Sequence, residues 1–177
     1  YTKSLAEHRL AYYFDVGDYS RLGTIFFNRI EYVHSDEWTF NVYGDYSTKI
    51  GIGKGARVDF DIEGEYMPKG SFYGYHLEQE APDNDRIFDG ADRYHISAEY
   101  AQDLPYDTRF IMRGHKFSDS EYRWDFRRTE RVREVELSKS EEEPVSVASF
   151  SKRWQDQSAR ITMAYRFDEF YYSGLPY

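Results

Sequence analysis

A strict alternation of apolar and charged side chains over residues 56–67 limits what this chain can fold into. The apolar positions are Ala56, Val58, Phe60 and Ile62, and the charged positions are Arg57, Asp59, Asp61, Glu63 and Glu65. Successive side chains of a β-strand point to opposite faces, whereas an α-helix would distribute these charges around its circumference. Residues 56–67 are therefore predicted to form a strand with one apolar and one charged face.

The same alternation recurs along the chain and predicts an all-β fold of about ten antiparallel strands. The clearest further segments are residues 37–47, 93–101 and 158–168, and the weaker ones are 8–16, 22–33, 71–79, 108–117, 130–138 and 145–154. Most contain about nine to thirteen residues, which suits a membrane-spanning strand and exceeds the roughly five or six residues typical of soluble strands. Aromatic residues near segment ends, such as Trp38 and Tyr46, suit the interfaces of an outer-membrane barrel.

The predicted connections alternate between short and long, as periplasmic turns and external loops do in outer-membrane barrels. They are residues 34–36, 48–55, 68–70, 80–92, 104–106 and 118–129. The glycine run at residues 51–55 lacks the spacing of a phosphate-binding loop and is interpreted as a flexible hairpin connection. A start at Tyr1 without a signal segment, and a turn-like end at residues 173–177, favour a piece of a longer protein.

Composition argues against several classes of function. The chain has 23 Lys and Arg residues against 32 Asp and Glu residues, and this net charge of −9 argues against nucleic-acid binding. It has no Cys, which excludes disulfides, thiolate metal sites and cysteine nucleophiles. Known catalytic motifs are absent, and the five histidines are scattered singly. We therefore expect a non-enzymatic protein without a cofactor or a metal site.

Two charged groups each have two interpretations. The carboxylates at 59, 61, 63 and 65 suit either a cation or acid–base site, or a solvated lumen wall neutralised by neighbouring Arg and Lys. The basic residues that follow residue 122 suit either contacts with outer-leaflet phosphates, or pairing with the acidic residues 141–143. These basic residues are Arg123, Arg127, Arg128, Arg131 and Arg133.

Several segments resemble the barrel domain of the LptD family, the outer-membrane proteins that assemble lipopolysaccharide. The most distinctive is residues 117–126, which is similar to the family's S-D-x-x-[FY]-x-x-D-[FY] hairpin. The other matching segments are residues 12–14, 38–49 leading into a glycine-rich turn at 51–53, 64–66, 70–75, 104–105, 135–139 and 167–170. The resemblance covers most of the chain, although the family's periplasmic jellyroll is not visible.

The resemblance implies that residues 1–177 are the N-terminal part of a larger barrel in the outer membrane. It implies as partners lipopolysaccharide, an LptE-like plug lipoprotein, periplasmic lipopolysaccharide-bridge proteins and outer-membrane lipid. The residues expected to face the lumen, along the path of lipopolysaccharide, are Thr39, Asn41, Tyr43, Asp59, Asp61 and Glu63. The outer-leaflet phosphate contacts are expected from Arg123, Arg127 and Arg128.

Two other classes of protein remain open. A small self-contained outer-membrane barrel of about eight or ten strands would serve as a pore or adhesion scaffold. The other class is a soluble lipocalin-like binding module, which the long predicted strands disfavour.

Overall fold

The computed structural model describes residues 9–20, 22–79, 92–119 and 146–165, together with Tyr122, Phe126 and Thr129. The described residues form nine long strands and a small helical part. The strands are β1 (Arg9–Tyr19), β2 (Gly23–Ser35), β3 (Trp38–Ser47), β4 (Gly51–Asp61), β5 (Lys69–Gln79), β6 (Arg93–Leu104), β7 (Thr108–Phe117), β8 (Ser146–Arg153) and β9 (Ser158–Tyr165).

Each described strand pairs antiparallel with the next one along the chain, so the sheet order is β1 to β9 without a crossover. The predicted all-β, antiparallel architecture is confirmed. The sheet is not closed into a barrel, because β1 and β9 lie at opposite edges and each pairs with one described neighbour. The tenth predicted strand, residues 130–138, lies outside the described residues.

The connections divide the sheet into two ends. At the short-turn end, described connections run through residues 36–37, 62–68, 105–107 and 154–157. At the long-loop end, strands are joined through residues 20–22, 48–50, 80–92 and 118–145. The prediction of a long connection at residues 48–55 is wrong, since only three residues separate β3 from β4.

Strand β4 lies five residues earlier in the sequence than predicted. Ser47 pairs with Gly51 and Tyr43 with Gly55, so the glycine run belongs to the strand. The strand ends at Asp61, whose N–H donates to the carbonyl of Glu37 at 2.9 Å. Gly64 then adopts a positive φ of 154°, in the connection to β5. The prediction of a strand over residues 56–67 is therefore wrong for residues 62–67.

The glycines of β4 are required by a tyrosine on the neighbouring strand. A Cβ at Gly53 would overlap the Tyr75 hydroxyl, and one at Gly55 would lie 2.7 Å from a ring carbon of Tyr75. The ring of Tyr75 thus lies over bare backbone, and its hydroxyl donates to Asp45 Oδ2 at 2.9 Å. Glycine inside a strand often marks such a close approach. The interpretation of residues 51–55 as a flexible connection is wrong for this reason.

Among the described residues, no helix is both long enough and apolar enough to cross a lipid bilayer.

Candidate functional site: the two faces of the sheet

One face of the sheet, here called the apolar face, exposes large apolar side chains across the described strands. Register places Ile30, Val42 and Ala56 side by side on it. Leu10 is 75% exposed, Val42 55% and Ile161 66%. The other exposed large side chains of this face are Tyr12, Phe14, Val16, Ile30, Tyr46, Ile52, Phe72, Ile96, Phe150, Met163 and Tyr165. An apolar surface this wide marks a contact with a membrane or another protein.

A row of aromatic rings crosses the apolar face near the short-turn end. It runs over six neighbouring strands, from β3 to β8. The ring centroids are separated by 5.3 Å between Trp38 and Phe60, 6.0 Å between Phe60 and Phe72, 6.1 Å between Phe60 and Tyr100, 6.0 Å between Tyr100 and Phe110, and 4.6 Å between Phe110 and Phe150. Aromatic side chains at one level of a sheet form the interfacial girdle of outer-membrane barrels.

Among the described residues, the charged side chains of the apolar face include Lys54, Glu78, Lys116 and Lys152, and Lys116 of β7 pairs with Ile96. Lys54 and Glu78 form an ion pair near the long-loop end. Near the short-turn end, the Lys152 ammonium lies 5.4 Å from the ring centroid of Trp154. Apart from Lys116, the row that contains Val42, Ala56 and Ile96 carries apolar or small residues. The face therefore has an apolar belt that Lys116 interrupts and that Lys54 borders on the long-loop side.

The opposite face, here called the polar face, carries most of the predicted lumen residues. Register pairs Thr39 with Asp59, and Asn41 and Tyr43 with residues of the same face of β4. Asp61 also lies on this face, opposite Lys69. Glu63 lies outside β4, in the connection to β5, where its N–H donates to Glu37 Oε1 at 3.2 Å.

A groove of about 450 Å³ lies on the polar face near the short-turn end. Its charged and polar lining includes Glu37, Thr39, Asp59, Asp61, Lys69 and Arg113. Ion pairs join Arg57 to Asp59 at 2.8 Å and Arg113 to Glu99 at 3.0 Å. The Arg113–Glu99 pair is exposed and contributes little to stability, whereas the Arg57–Asp59 pair is half-buried. Both pairs make this wall of the groove hydrophilic.

The predicted row of four carboxylates does not exist as one strand face. Asp59 accepts hydrogen bonds from Arg57, and Glu63 and Glu65 lie beyond the end of β4. Among the described residues, no group of three or more His, Cys, Asp or Glu side chains is placed to hold a metal ion. Asp59 pairs with Arg57 and Asp61 lies opposite Lys69, so both carboxylates have basic neighbours.

The long-loop end of the polar face is covered by a structure that we call the cap, consisting of Asp119, Tyr122, Phe126 and Thr129. The last three are helical, and their spacing of four and three residues places them on one side of a helix. They are 0%, 1% and 0% exposed. The long connection predicted to begin at residue 118 is present, since β7 ends at Phe117, and its described helical positions are buried. Arg123, Arg127 and Arg128 lie outside the described residues.

The cap packs on aromatic side chains of the sheet. The Tyr122 ring lies 5.7 Å from Phe117, 5.9 Å from His95 and 4.6 Å from Phe126, measured between centroids. Beneath them, the buried cluster includes Tyr43, Tyr73, Tyr75 and Leu77. The two ends of the polar face therefore differ, since one is a hydrated groove and the other is a closed core.

Arg93 of β6 anchors the cap through Asp119. Its Nε and one terminal nitrogen donate to the two carboxylate oxygens of Asp119 at 2.9 and 2.6 Å. The guanidinium carbon also lies 5.0 Å from the ring centroid of Phe126. Arg93 is only 4% exposed, whereas the Asp119 side chain is 37% exposed, so the contact is partly buried. A bidentate, partly buried pair fixes both distance and orientation.

Asp119 also begins the helical part of the cap. Its Oδ1 accepts the N–H of Tyr122 at 2.8 Å, as a helix N-cap residue does, and its Oδ2 accepts the Ser118 hydroxyl at 2.6 Å. Burial raises the pKa of Asp119, but the hydrogen bonds from Arg93 and Ser118, the Arg93 charge and the Tyr122 N–H outweigh it. The pKa of Asp119 is therefore lowered.

Sequence reasoning missed Arg93 and the helical cap. A signal for the cap was present, because an Asp N-cap followed by Tyr122, Phe126 and Thr129 fits helical spacing. No comparable signal identified Arg93, since its partner lies 26 residues away.

Comparison with known protein families gives no match to this chain, and comparison with curated proteins gives none either. The resemblance to the LptD family therefore stays a prediction based on short segments.

Proposed function

We propose that the sheet is part of the wall of an outer-membrane β-barrel, with its apolar face against lipid and its polar face toward a water-filled interior. The observation that carries this proposal is the wide exposed apolar belt opposite a charged groove. In water such a belt is unfavourable by roughly 25 cal/mol for each Å² of apolar surface, whereas lipid removes that cost.

The dimensions of the belt support this placement. On β3 the apolar face runs from Trp38 to Tyr46, which corresponds to roughly 26 Å along the strand at about 3.3 Å per residue. Tilted by about 40°, a strand of that length covers most of the roughly 25 Å apolar band of an outer-membrane barrel. The aromatic row then marks the membrane interface at the short-turn end.

The direction of the edge strands limits how such a barrel can close. Neighbouring strands alternate in direction, so β1 and β9, at the two edges of the described sheet, run the same way. Their direct pairing would be parallel, whereas single-chain bacterial barrels are antiparallel throughout with an even number of strands. Closure therefore requires at least one further strand that runs in the opposite direction.

Within this architecture, we propose a non-enzymatic role in delivering lipopolysaccharide to the outer leaflet. A hydrophilic groove suits the sugar–phosphate head group, while the acyl chains find a favourable environment only in lipid. The LptD resemblance supports this choice of substrate and adds an LptE-like plug and periplasmic bridge proteins as partners. The residues of the path would be Thr39, Asp59 and Asp61, which line the groove.

The first experiment tests the membrane placement with arginine on each face of β3. Val42→Arg puts a charge at the centre of the apolar belt and is expected to lower folding stability in lipid vesicles by ~2–4 kcal/mol. Thr39→Arg is the matched control, because it places the same side chain on the polar face beside Asp59. Equal tolerance of the two variants would contradict the proposed orientation.

The second experiment tests the substrate with photo-crosslinkers in cells that carry the full-length protein. Probes at Thr39 and Asp61 are expected to capture lipopolysaccharide. A probe at Phe150, exposed on the apolar face near the short-turn end, is expected to capture phospholipid. If Thr39 and Asp61 give no lipopolysaccharide adduct, and depletion of the protein leaves surface lipopolysaccharide unchanged, the transport role is wrong.

A further inference from the structure

We infer that three side chains at the short-turn end of the apolar face form a site for the phosphate of an anionic phospholipid headgroup. They are Lys152 of β8, Trp154 in the connection that follows it, and Tyr106 in the turn between β6 and β7. The inference rests on the proposed function, because it takes the apolar face as the surface in contact with lipid. It adds a preferred class of lipid in the leaflet on the short-turn side.

Lys152 lies between two aromatic rings. Its ammonium is 5.8 Å from the ring centroid of Tyr106 and 5.4 Å from that of Trp154. Cation–π attraction at such distances favours this position of the ammonium. The backbone N–H of Arg153 donates to the carbonyl of Asp107 at 3.0 Å, which joins the β6–β7 turn to the end of β8. The three side chains are therefore held side by side.

Each of the three side chains carries a donor that the described part of the chain leaves available. These donors are the Lys152 ammonium, the Tyr106 hydroxyl and the Trp154 indole N–H, and no hydrogen bond or ion pair joins them to a described residue. Tyr106 is 84% exposed and Trp154 49%, so a ligand can reach both rings. A phosphate accepts hydrogen bonds from all three donors, and its negative charge complements the ammonium.

The backbone of the β6–β7 turn keeps Tyr106 in its exposed position. Tyr106 has a φ of 65° and Asp107 a φ of 55°, both in the left-handed region. This region is unfavourable for a bulky residue such as tyrosine. Residues held in unfavourable backbone conformations are concentrated at functional sites, including ligand-binding sites. The turn therefore presents the Tyr106 ring to the surroundings of the sheet.

The position of Lys152 along its strand fits a lipid headgroup. Phe110 pairs with Phe150 in the aromatic row, and the next pair outward on this face is Thr108 with Lys152. Lys152 thus lies two residues, or roughly 7 Å along the strand, beyond Phe150. In the proposed orientation the aromatic row marks the edge of the hydrocarbon, so the ammonium reaches the level of the headgroup phosphates. This level favours a lipid phosphate over an acidic group of a soluble protein.

The test uses the full-length protein in phosphatidylcholine nanodiscs that contain one of three photoreactive lipids. Two carry a diazirine in the headgroup, on phosphatidylglycerol or on phosphatidylcholine, and the third carries it in the acyl chain. Within residues 105–108 and 152–157, phosphatidylglycerol should give roughly five times the adduct yield of phosphatidylcholine, since one basic residue near an anionic surface contributes about that factor. The acyl-chain probe is expected to label the apolar face near Phe150 and Ile161, which are exposed there.

Three kinds of variant separate the charge from the hydrogen bonds. Lys152→Gln removes the charge and should abolish the preference for phosphatidylglycerol. Lys54→Gln is the matched control, because it removes a lysine from the other end of the same face and should leave the preference unchanged. Tyr106→Phe combined with Trp154→Phe keeps an aromatic ring at both positions and removes two donors. This double variant should lower the adduct yield of both headgroup probes about two- to threefold without changing the preference.

The outcomes distinguish the headgroup site from the membrane placement. Equal yields from the two headgroup probes, or a preference that persists in Lys152→Gln, would overturn the inference, while acyl-chain adducts near Phe150 would still support the membrane placement. An absence of acyl-chain adducts on the apolar face would contradict the membrane placement itself, and the headgroup site with it.

Discussion

Arg93 and Asp119 show how one pair of residues links a strand to the start of a connection that follows much later in the sequence. The carboxylate accepts hydrogen bonds from Arg93, from the Ser118 hydroxyl and from the Tyr122 backbone. Each of these donors favours the ionised form, which is why the pKa of Asp119 is lowered despite the opposing effect of burial.

The lowered pKa of Asp119 predicts a dependence of stability on pH. Because ionisation is favoured in the folded state, the contribution of Asp119 is present above its unfolded pKa of about 3.9 and is lost as the pH falls through the lower folded value. At neutral pH, Asp119→Asn should cost on the order of 1 kcal/mol, since the group is partly exposed. Urea unfolding of the protein in detergent micelles at neutral and acidic pH measures this difference.

That difference should shrink below about pH 4, as the wild-type carboxylate becomes protonated. The control Asp103→Asn should show a smaller cost at every pH, because its partner Arg109 lies 3.7 Å away and both side chains are exposed. A cost for Asp119→Asn that stays constant down to strongly acidic pH would contradict this account.

At the scale of elements, the location of β4 in the sequence depends on packing against the neighbouring strand β5. Its glycines allow Tyr75 to lie against the backbone, and the Tyr75 hydroxyl bonds to Asp45 of β3. Three strands are thereby fixed in register around one aromatic ring. Aromatic side chains that cover glycine on a neighbouring strand are a known means of fixing register in β-sheets.

A methyl group at Gly53 should disrupt this arrangement. Gly53→Ala is expected to lower the free energy of unfolding by about 1–3 kcal/mol, the usual cost of overpacking. Tyr75→Phe in the same chain should recover part of that loss, because it removes the hydroxyl that the new Cβ would meet. Gly74→Ala is the control, since its Cβ would meet open space. Equal effects of the two alanine substitutions in unfolding experiments would contradict the packing described for Tyr75.

At the scale of the whole molecule, the two edge strands of the described sheet determine which further strands it needs. Every side chain of β9 is exposed, as are most of those of β1. Unpaired backbone groups are not tolerated in hydrocarbon, because lipid offers no hydrogen-bond partners. Both edges therefore need oppositely running strands if the sheet is to lie in a membrane.

This requirement makes a prediction for a polypeptide of residues 1–177 produced alone. In detergent it is expected to give aggregates or mixed oligomers. A compact monomer, with gel mobility that changes on heating, is not expected. Electrophoresis with and without heating, together with limited proteolysis, distinguishes these results. A protease-resistant, heat-modifiable monomer would show that the chain closes by itself, and would favour the small self-contained barrel.

The sequence by itself determined the strands and the chemistry of their faces. Alternation over residues such as Trp38–Ser47 is local, because each side chain points away from its neighbour whatever the rest of the chain does. The shared face of Thr39, Asn41 and Tyr43 follows from that rule alone. The boundaries of β4 did not follow from it, since they depend on Tyr75.

Only the tertiary structure decided which part of the polar face is hydrated and which part is buried. The aromatic rings of Tyr122 and Phe126 suit a membrane interface as well as a protein core. Residue type alone therefore could not predict where these side chains lie. Both rings lie near the guanidinium of Arg93, which pairs with Asp119, 26 positions away in the sequence. Pairings of that kind are set by the fold, because no local periodicity encodes which charges will meet.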